Sequence, residues 1–159
     1  MRNLKVYLII ILVLFSLMLA SCTNSKLVVD IEESQVVFLE DYEALGISVI
    51  VNNESNFHKE FFQIKIEILD KELQHSLQTK GMFVGNNYET FNEEEVNGAI
   101  YEVEENKKIE GGATFNIHED IPVDELKELI TTENAIKVIL YDEDGEELTN
   151  NIINNFKEI

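Results

Sequence analysis

The sequence of 159 residues predicts an all-β domain, a sandwich of two antiparallel sheets with one short helix. Apolar and polar residues alternate with a period of two, which is the pattern of strands that bury one face. Clusters of turn-forming residues, such as residues 52–56 and 142–145, separate the alternating segments. About seven or eight short strands of this kind favour two packed sheets.

The alternation is clearest where Phe62, Ile64, Ile66 and Ile68 share one face of a predicted strand. The polar residues that follow are expected to turn the chain into the next strand. Further predicted strands are residues 27–31, 35–39, 45–51, 73–79, 109–117, 135–141 and 146–153.

Two local features modify this pattern of strands. Gly111 and Gly112 lie inside one predicted strand and suggest a bulge there. The single predicted helix begins near Pro122, a residue that suits a first helical position. Its apolar side consists of Val123, Leu126, Leu129 and Ile130, and the helix is expected to cross between strands.

The start of the chain predicts a secretory signal peptide over residues 1–21. Arg2 and Lys5 give it a basic beginning, and an apolar run follows from residue 6 to residue 20. A helix of that length rises about 22 Å, which is short of the roughly 30 Å of a bilayer's hydrocarbon core. The run therefore favours a cleaved signal over a permanent membrane span.

The apolar run ends in Leu19, Ala20, Ser21 and Cys22, which resemble the lipobox of bacterial lipoproteins. The resemblance implies cleavage after Ser21 and acylation of Cys22, so that the lipid bilayer is a partner. Cys22 is the only cysteine, and lipidation leaves no stray thiol. The expected location is the outer face of the cell membrane, or the outer membrane where the cell has one.

Three parts of the chain follow from this interpretation: the signal peptide, a lipidated tether of residues 22–26, and one domain of residues 27–159. Removing Arg2 and Lys5 leaves 10 basic residues against 31 acidic ones, a net charge of −21. Such a charge argues against nucleic acid as a partner, because the phosphate backbone would be repelled. It also argues against adhesion of the domain itself to anionic lipid.

Four segments together resemble the immunoglobulin-like (telokin-like) domains of small bacterial lipoproteins. They are residues 47–53, 62–70, 109–117 and 138–145, which are 33 of the 138 residues of the mature chain. The chain has no tryptophan and lacks the paired cysteines of antibody-type domains. The resemblance implies an immunoglobulin-like sandwich and a role at the cell surface, and it brings no catalytic residues.

The aromatic residues within residues 81–106 indicate a candidate interaction surface. Phe83, Tyr88, Phe91 and Tyr101 are interleaved with glutamates there, and exposed aromatic side chains ringed by charge are typical of partner binding. The alternative is an edge hairpin and a loop whose aromatic side chains cover the core.

The search for chemistry yields one weak metal candidate. Asp142, Asp144 and Glu146 surround a glycine, as in oxygen-rich calcium loops. The spacing differs from that of an EF-hand, and an Asp-Gly hairpin turn also explains it. The three histidines are widely separated, and no nucleophile motif or phosphate-binding loop occurs. We therefore expect no cofactor and no enzymatic activity.

These observations lead to two functional hypotheses. The first is a membrane-anchored, non-enzymatic module that binds an extracytoplasmic protein or peptide, or serves a structural role, through a sheet edge or through residues 81–106. The second is a lipoprotein that binds calcium or a small ligand on its acidic surface.

Overall fold

The computed structural model describes residues 26–56, 58–85, 98–119, 121–132 and 134–159. The predicted signal peptide and lipobox, with Leu19, Ala20, Ser21 and Cys22, lie outside the described residues. The described strands are β1 (Leu27–Val29), β2 (Gln35–Leu39), β3 (Ala44–Asn53), β4 (Glu60–Ile68), β5 (Gly81–Phe83), β6 (Tyr101–Val103), β7 (Lys108–Asn116), β8 (Ile136–Tyr141), β9 (Glu147–Ile152) and β10 (Phe156–Glu158).

The first sheet is built around β3. Strand β7 pairs antiparallel with one side of β3 from Ala44↔Asn116 to Asn52↔Lys108. Strands β1 and β2 pair antiparallel with β3 as well, and β10 continues the sheet beyond β2. The β2–β10 pair is parallel, which differs from the purely antiparallel arrangement that the sequence predicts.

The second sheet is built around β4 and has the order β5-β4-β8-β9, with β6 also paired to β4. All of these pairs are antiparallel. Successive strands β3 and β4 lie in different sheets, and so do β7 and β8. Connections that cross between two sheets are typical of β-sandwiches, and the predicted all-β sandwich is confirmed.

The core lies between the two sheets and follows the predicted alternation. In β4 the four apolar residues that share a face are at most 2% exposed. In β3 the inward residues are Leu45, Ile47, Val49 and Val51, which are also at most 2% exposed. Removing these inward-facing side chains from water contributes to the stability of the fold roughly 25 cal/mol for each Å² of apolar surface buried.

The prediction of a strand at residues 73–79 is wrong, because helix α1 spans Lys71–Leu77. Asp70 caps this helix, and its Oδ1 accepts hydrogen bonds from the backbone N–H groups of Glu72 and Leu73 (2.8 and 2.9 Å). Leu73 and Leu77 are buried on one side of it, as expected for residues four apart in a helix.

The predicted helix after Pro122 is confirmed as α2, which spans Val123–Thr131 and buries Leu126 and Ile130. Both α-helices connect strands at the same end of the sandwich. A short 3-10 turn at Glu40–Tyr42 lies between β2 and β3.

Gly111 and Gly112 do not form the predicted bulge, because the register between β3 and β7 is continuous. A Cβ atom on Gly111 would lie 2.6 Å from Ile64 Cδ1, and one on Gly112 would lie 2.5 Å from the carbonyl oxygen of Ile47. Gly112 is therefore required by the close approach of a backbone oxygen, whereas at Gly111 the nearest atom is the end of a flexible side chain.

Candidate functional site

An open groove of about 730 Å³ runs along β7, and we call it the β7 groove. Its size is within the range of about 300–1,000 Å³ that is typical of ligand sites. Strands β2, β3, β5 and β7 supply most of its walls. The lining residues are Val37, Leu39, Gly46, Ile47, Ser48, Met82, Phe83, Gly85, Glu110, Gly111, Gly112, Ala113, Thr114 and Ile159.

The backbone N–H and C=O groups of successive residues in β7 point alternately toward β3 and away from it. The neighbouring bonds Asn53 N–H to Lys107 O (2.9 Å) and Ile117 N–H to Glu43 O (2.8 Å) extend the β3–β7 ladder in its own register. They show that odd-numbered residues of β7 bond to β3. In an antiparallel pair the residues between them turn their N–H and C=O groups the other way.

Glu110 and Gly112 therefore direct their backbone N–H and C=O groups away from β3, into the β7 groove. Among the described residues, β7 pairs with β3 alone. Within the part of the chain that the structure describes, β7 is thus a nine-residue strand at the margin of its sheet, a position where pairing with another chain is usually blocked. The β7 groove thus presents the main-chain donors and acceptors of Glu110 and Gly112 beside apolar walls.

One wall of the β7 groove is polar. Ser48 Oγ donates a hydrogen bond to Glu110 Oε1 (2.6 Å) across β3 and β7. This bond orients the carboxylate over the outer face of the first sheet. Glu110 is the one ionisable side chain among the lining residues that the structure describes.

The opposite wall contains Phe83, one of the aromatic residues singled out in the sequence. Its ring packs against that of Tyr141 with centroids 5.7 Å apart, and Lys65 Nζ lies 5.8 Å from the Phe83 centroid. Burial is the main cause that raises the pKa of the Tyr141 hydroxyl. Phe83 is half-buried, so it offers a partly accessible apolar face to the β7 groove.

Tyr101 does not share the position of Phe83. Its ring stacks on the buried Phe62 with centroids 5.7 Å apart and an interplanar angle of 24°, and burial raises the pKa of its hydroxyl. For Tyr101 the core-covering interpretation fits the packing better than the interaction surface. Tyr88 and Phe91 lie outside the described residues.

Asn53 ends β3 and lies within residues 52–56, which the sequence predicts as a turn. Asn53 is 1% exposed. It donates from Nδ2 to the carbonyl oxygens of His58 (2.9 Å) and Val103 (3.1 Å), and its Oδ1 accepts from the backbone N–H of Ser55 (2.8 Å). Asn53 thereby fastens β6 and the loop before β4 to the first sheet.

The calcium candidate forms the turn between β8 and β9. Asp142 Oδ1 accepts hydrogen bonds from the backbone N–H groups of Asp144 (3.0 Å) and Glu146 (2.7 Å). The carboxylate therefore stabilises the turn itself. In the described part of the chain, no three His, Cys, Asp or Glu side chains are grouped so that they could hold a metal ion.

Further charged contacts lie away from the β7 groove, within the second sheet and beside helix α1. Glu67 lies between Lys65 (2.8 Å) and Lys137 (3.8 Å) on the outer face of the second sheet. His75 Nε2 lies 3.0 Å from a carboxylate oxygen of Glu119. Partly exposed pairs of this kind contribute little to stability, about 0–1 kcal/mol each.

No family model matches the chain, and no curated protein matches its sequence. No helix within the described ranges is long and apolar enough to cross a membrane.

Proposed function

We propose that this chain is a membrane-anchored extracytoplasmic lipoprotein whose sandwich binds an extended segment of a partner protein along β7. The observation that carries the binding proposal is the outward direction of the backbone groups of Glu110 and Gly112. A partner segment in extended conformation would add a strand to the first sheet, with main-chain hydrogen bonds supplying affinity.

The anchor is supported by the sequence. The order of a lipobox is found in Leu19, Ala20, Ser21 and Cys22. The apolar run before them is shorter than the helix needed to cross the hydrocarbon core of a bilayer. Two or three acyl chains on one residue hold a protein at a bilayer far more firmly than a single chain does.

Selectivity for the partner's side chains would come from the walls of the β7 groove. In an added strand, alternate side chains point to the same face of the sheet. Val37, Leu39 and Gly46 supply an apolar floor for them, and Phe83 supplies an aromatic wall. Glu110 adds one negative charge, which favours a basic or hydroxyl-bearing residue at the facing position of the partner.

We also propose that the β7 groove binds without catalysing a reaction. Glycoside hydrolysis commonly uses a second carboxylate beside the first, whereas Glu110 is the only ionisable side chain among the described lining residues and is hydrogen-bonded to Ser48. The main-chain edge suits recognition of a polypeptide backbone.

The decisive experiment compares Glu110→Pro with Glu110→Ala in cells. Both variants lose the Glu110 carboxylate, and only proline also loses the backbone N–H that faces the groove. Proline is tolerated on an edge strand where its nitrogen faces away from the ladder. A photo-crosslinking residue at Ser48 reports the partner, and one at the exposed Asn150 on β9 serves as the control position.

We expect a cross-linked partner from position 48 and none from position 150. Glu110→Ala retains the cross-link, and Glu110→Pro abolishes it. Equal cross-linking by the two variants would refute strand addition. A partner captured from position 150 and absent from position 48 would refute the β7 groove as the site. The anchor is tested separately by the mass of the N-terminal peptide and by loss of membrane attachment in Cys22→Ala.

A further inference from the structure

We infer that the sandwich stands upright on the bilayer, with one defined end against the lipid surface. This end, which we call the entry end, contains Lys26, Glu54 and the β6–β7 turn at residues 104–107. The inference rests on the lipid anchor of the proposed function, but its test does not depend on lipidation in the cell.

The chain enters the domain at the entry end. The backbone N–H of Glu54 donates to the carbonyl oxygen of Lys26 (3.0 Å), and Leu27 pairs with Asn53 at the last residue of β3. Strand β7 begins at the same end, because Lys108 pairs with Asn52. Strand β4 also begins there, since Glu60 pairs with Val103 just before the turn.

The opposite end contains the 3-10 turn at Glu40–Tyr42 and both α-helices. Strand β3 begins there at Ala44, and the backbone N–H of His118 after β7 donates to the carbonyl oxygen of Ser76 in α1 (2.8 Å). The ten residues of β3 separate the two ends by about 30 Å, at roughly 3.3 Å per residue.

The tether is much shorter than the sandwich. The four residues from Thr23 to Lys26 span at most about 14 Å when fully extended. An acylated Cys22 therefore holds the entry end close to the lipid headgroups. The opposite end cannot take its place, because the tether cannot pass along the length of β3.

Charge distinguishes an upright domain from one that lies on its side. The mature chain carries a net charge of −21, so contact along the whole sandwich is disfavoured at an anionic surface. Four of the ten basic residues after residue 21, Lys26, Lys59, Lys107 and Lys108, lie at the entry end. Glutamates share that end, and it is the tether length that fixes which end faces the lipid.

The upright orientation has a consequence for the β7 groove. Strand β7 runs from the entry end to the opposite end, so its edge stands along the membrane normal and faces sideways. A partner segment that pairs antiparallel with β7 would run toward the membrane.

The test uses the absence of tryptophan from the chain. Single tryptophans are placed by Glu105→Trp at the entry end and by Tyr42→Trp at the opposite end; Glu105 is exposed and Tyr42 is 78% exposed. Residues 22–159 of each variant are coupled through the sole thiol, Cys22, to a maleimide lipid in anionic vesicles that contain a headgroup-nitroxide lipid. Circular dichroism checks the fold of each variant before coupling.

We expect a loss of tryptophan fluorescence at position 105 and no loss at position 42. Equal losses at both positions, or a greater loss at position 42, would overturn the upright orientation. A third chain carries about 20 Gly and Ser residues between Ser25 and Lys26, a spacer that reaches about 25 Å. This spacer should remove most of the loss at position 105, and an unchanged loss would overturn the role of the tether. Absence of lipid on Cys22 in cells would contradict the proposed function, but it would not change the orientation measured on the vesicles.

Discussion

Replacing Asn53 by alanine should destabilise the domain more than any exposed substitution nearby. Asn53 makes three hydrogen bonds from a side chain that is 1% exposed. Each such bond has a net contribution of about 1 kcal/mol, so the free energy of unfolding should fall by about 3 kcal/mol. That is a large part of the roughly 5–15 kcal/mol that stabilises a typical domain.

The assay is reversible unfolding in urea and by heat, followed by far-ultraviolet circular dichroism. For a domain of this size, a loss of about 3 kcal/mol lowers Tm by about 10 °C. The matched control is Asn56→Ala, because Asn56 is exposed and exposed substitutions usually change stability by less than about 0.5 kcal/mol.

A second variant, Asn53→Asp, tests the direction of the hydrogen bonds. The carboxylate still accepts from Ser55, but it now faces the carbonyl oxygens of His58 and Val103 without a donor. Burial and these two oxygens raise the folded-state pKa of the new carboxyl above its unfolded value. The variant should therefore lose stability relative to the original chain as pH rises through that pKa. Equal stability of Asn53→Ala and Asn56→Ala would refute the reasoning.

Four further predictions concern other parts of the domain. Asp70→Ala should cost about 1 kcal/mol of stability through loss of the α1 cap, and Asp70→Asn should cost much less, as urea midpoints would show; equal losses would contradict the capping role. Gly112→Ala should destabilise more than Gly111→Ala, because the new Cβ meets a backbone oxygen at 2.5 Å in the first case and a side-chain methyl at 2.6 Å in the second; the reverse order of melting temperatures would contradict this. Burial raises the pKa of Tyr101, so its stabilising contribution is complete below the unfolded pKa of about 10 and is lost as pH rises through the folded value; in a titration followed at 295 nm, Tyr101→Phe should remove one tyrosine from the phase above about pH 10, and an unchanged amplitude there would contradict this. Millimolar calcium should leave Tm unchanged, because the Asp142 carboxylate already serves the turn, whereas a rise in Tm would favour the calcium-binding alternative.

The strands of the core were predictable from the sequence because burial there is one-sided. Phe62, Ile64, Ile66 and Ile68 are inward-facing, as their spacing indicates. The same reasoning failed at residues 73–79. Leu73 and Leu77 satisfy both an alternating and a helical spacing, and the cap from Asp70 together with their burial on one side of α1 selects the helix.

The candidate site was only partly predictable, because an edge is a property of the whole sheet. The alternation around Phe115 predicts a strand, but nothing local to it says that β7 has a neighbour on one side alone among the described residues. The aromatic residues were grouped by closeness in sequence. Phe83 and Tyr101 instead pack against different partners, Tyr141 and Phe62, so only Phe83 lines the β7 groove.

The central claim, that the backbone groups of Glu110 and Gly112 form an open edge for a partner strand, is tested most directly by hydrogen exchange of the β7 amides, measured residue by residue by NMR. The account predicts slow exchange at Ile109, Gly111 and Ala113, whose amides bond to β3, and fast exchange at Glu110 and Gly112 in the isolated protein. Addition of the cross-linked partner's segment should then slow exchange at Glu110 and Gly112 and leave Ile109, Gly111 and Ala113 unchanged. Protection of these two amides before any partner is added would contradict the open edge and the function proposed from it.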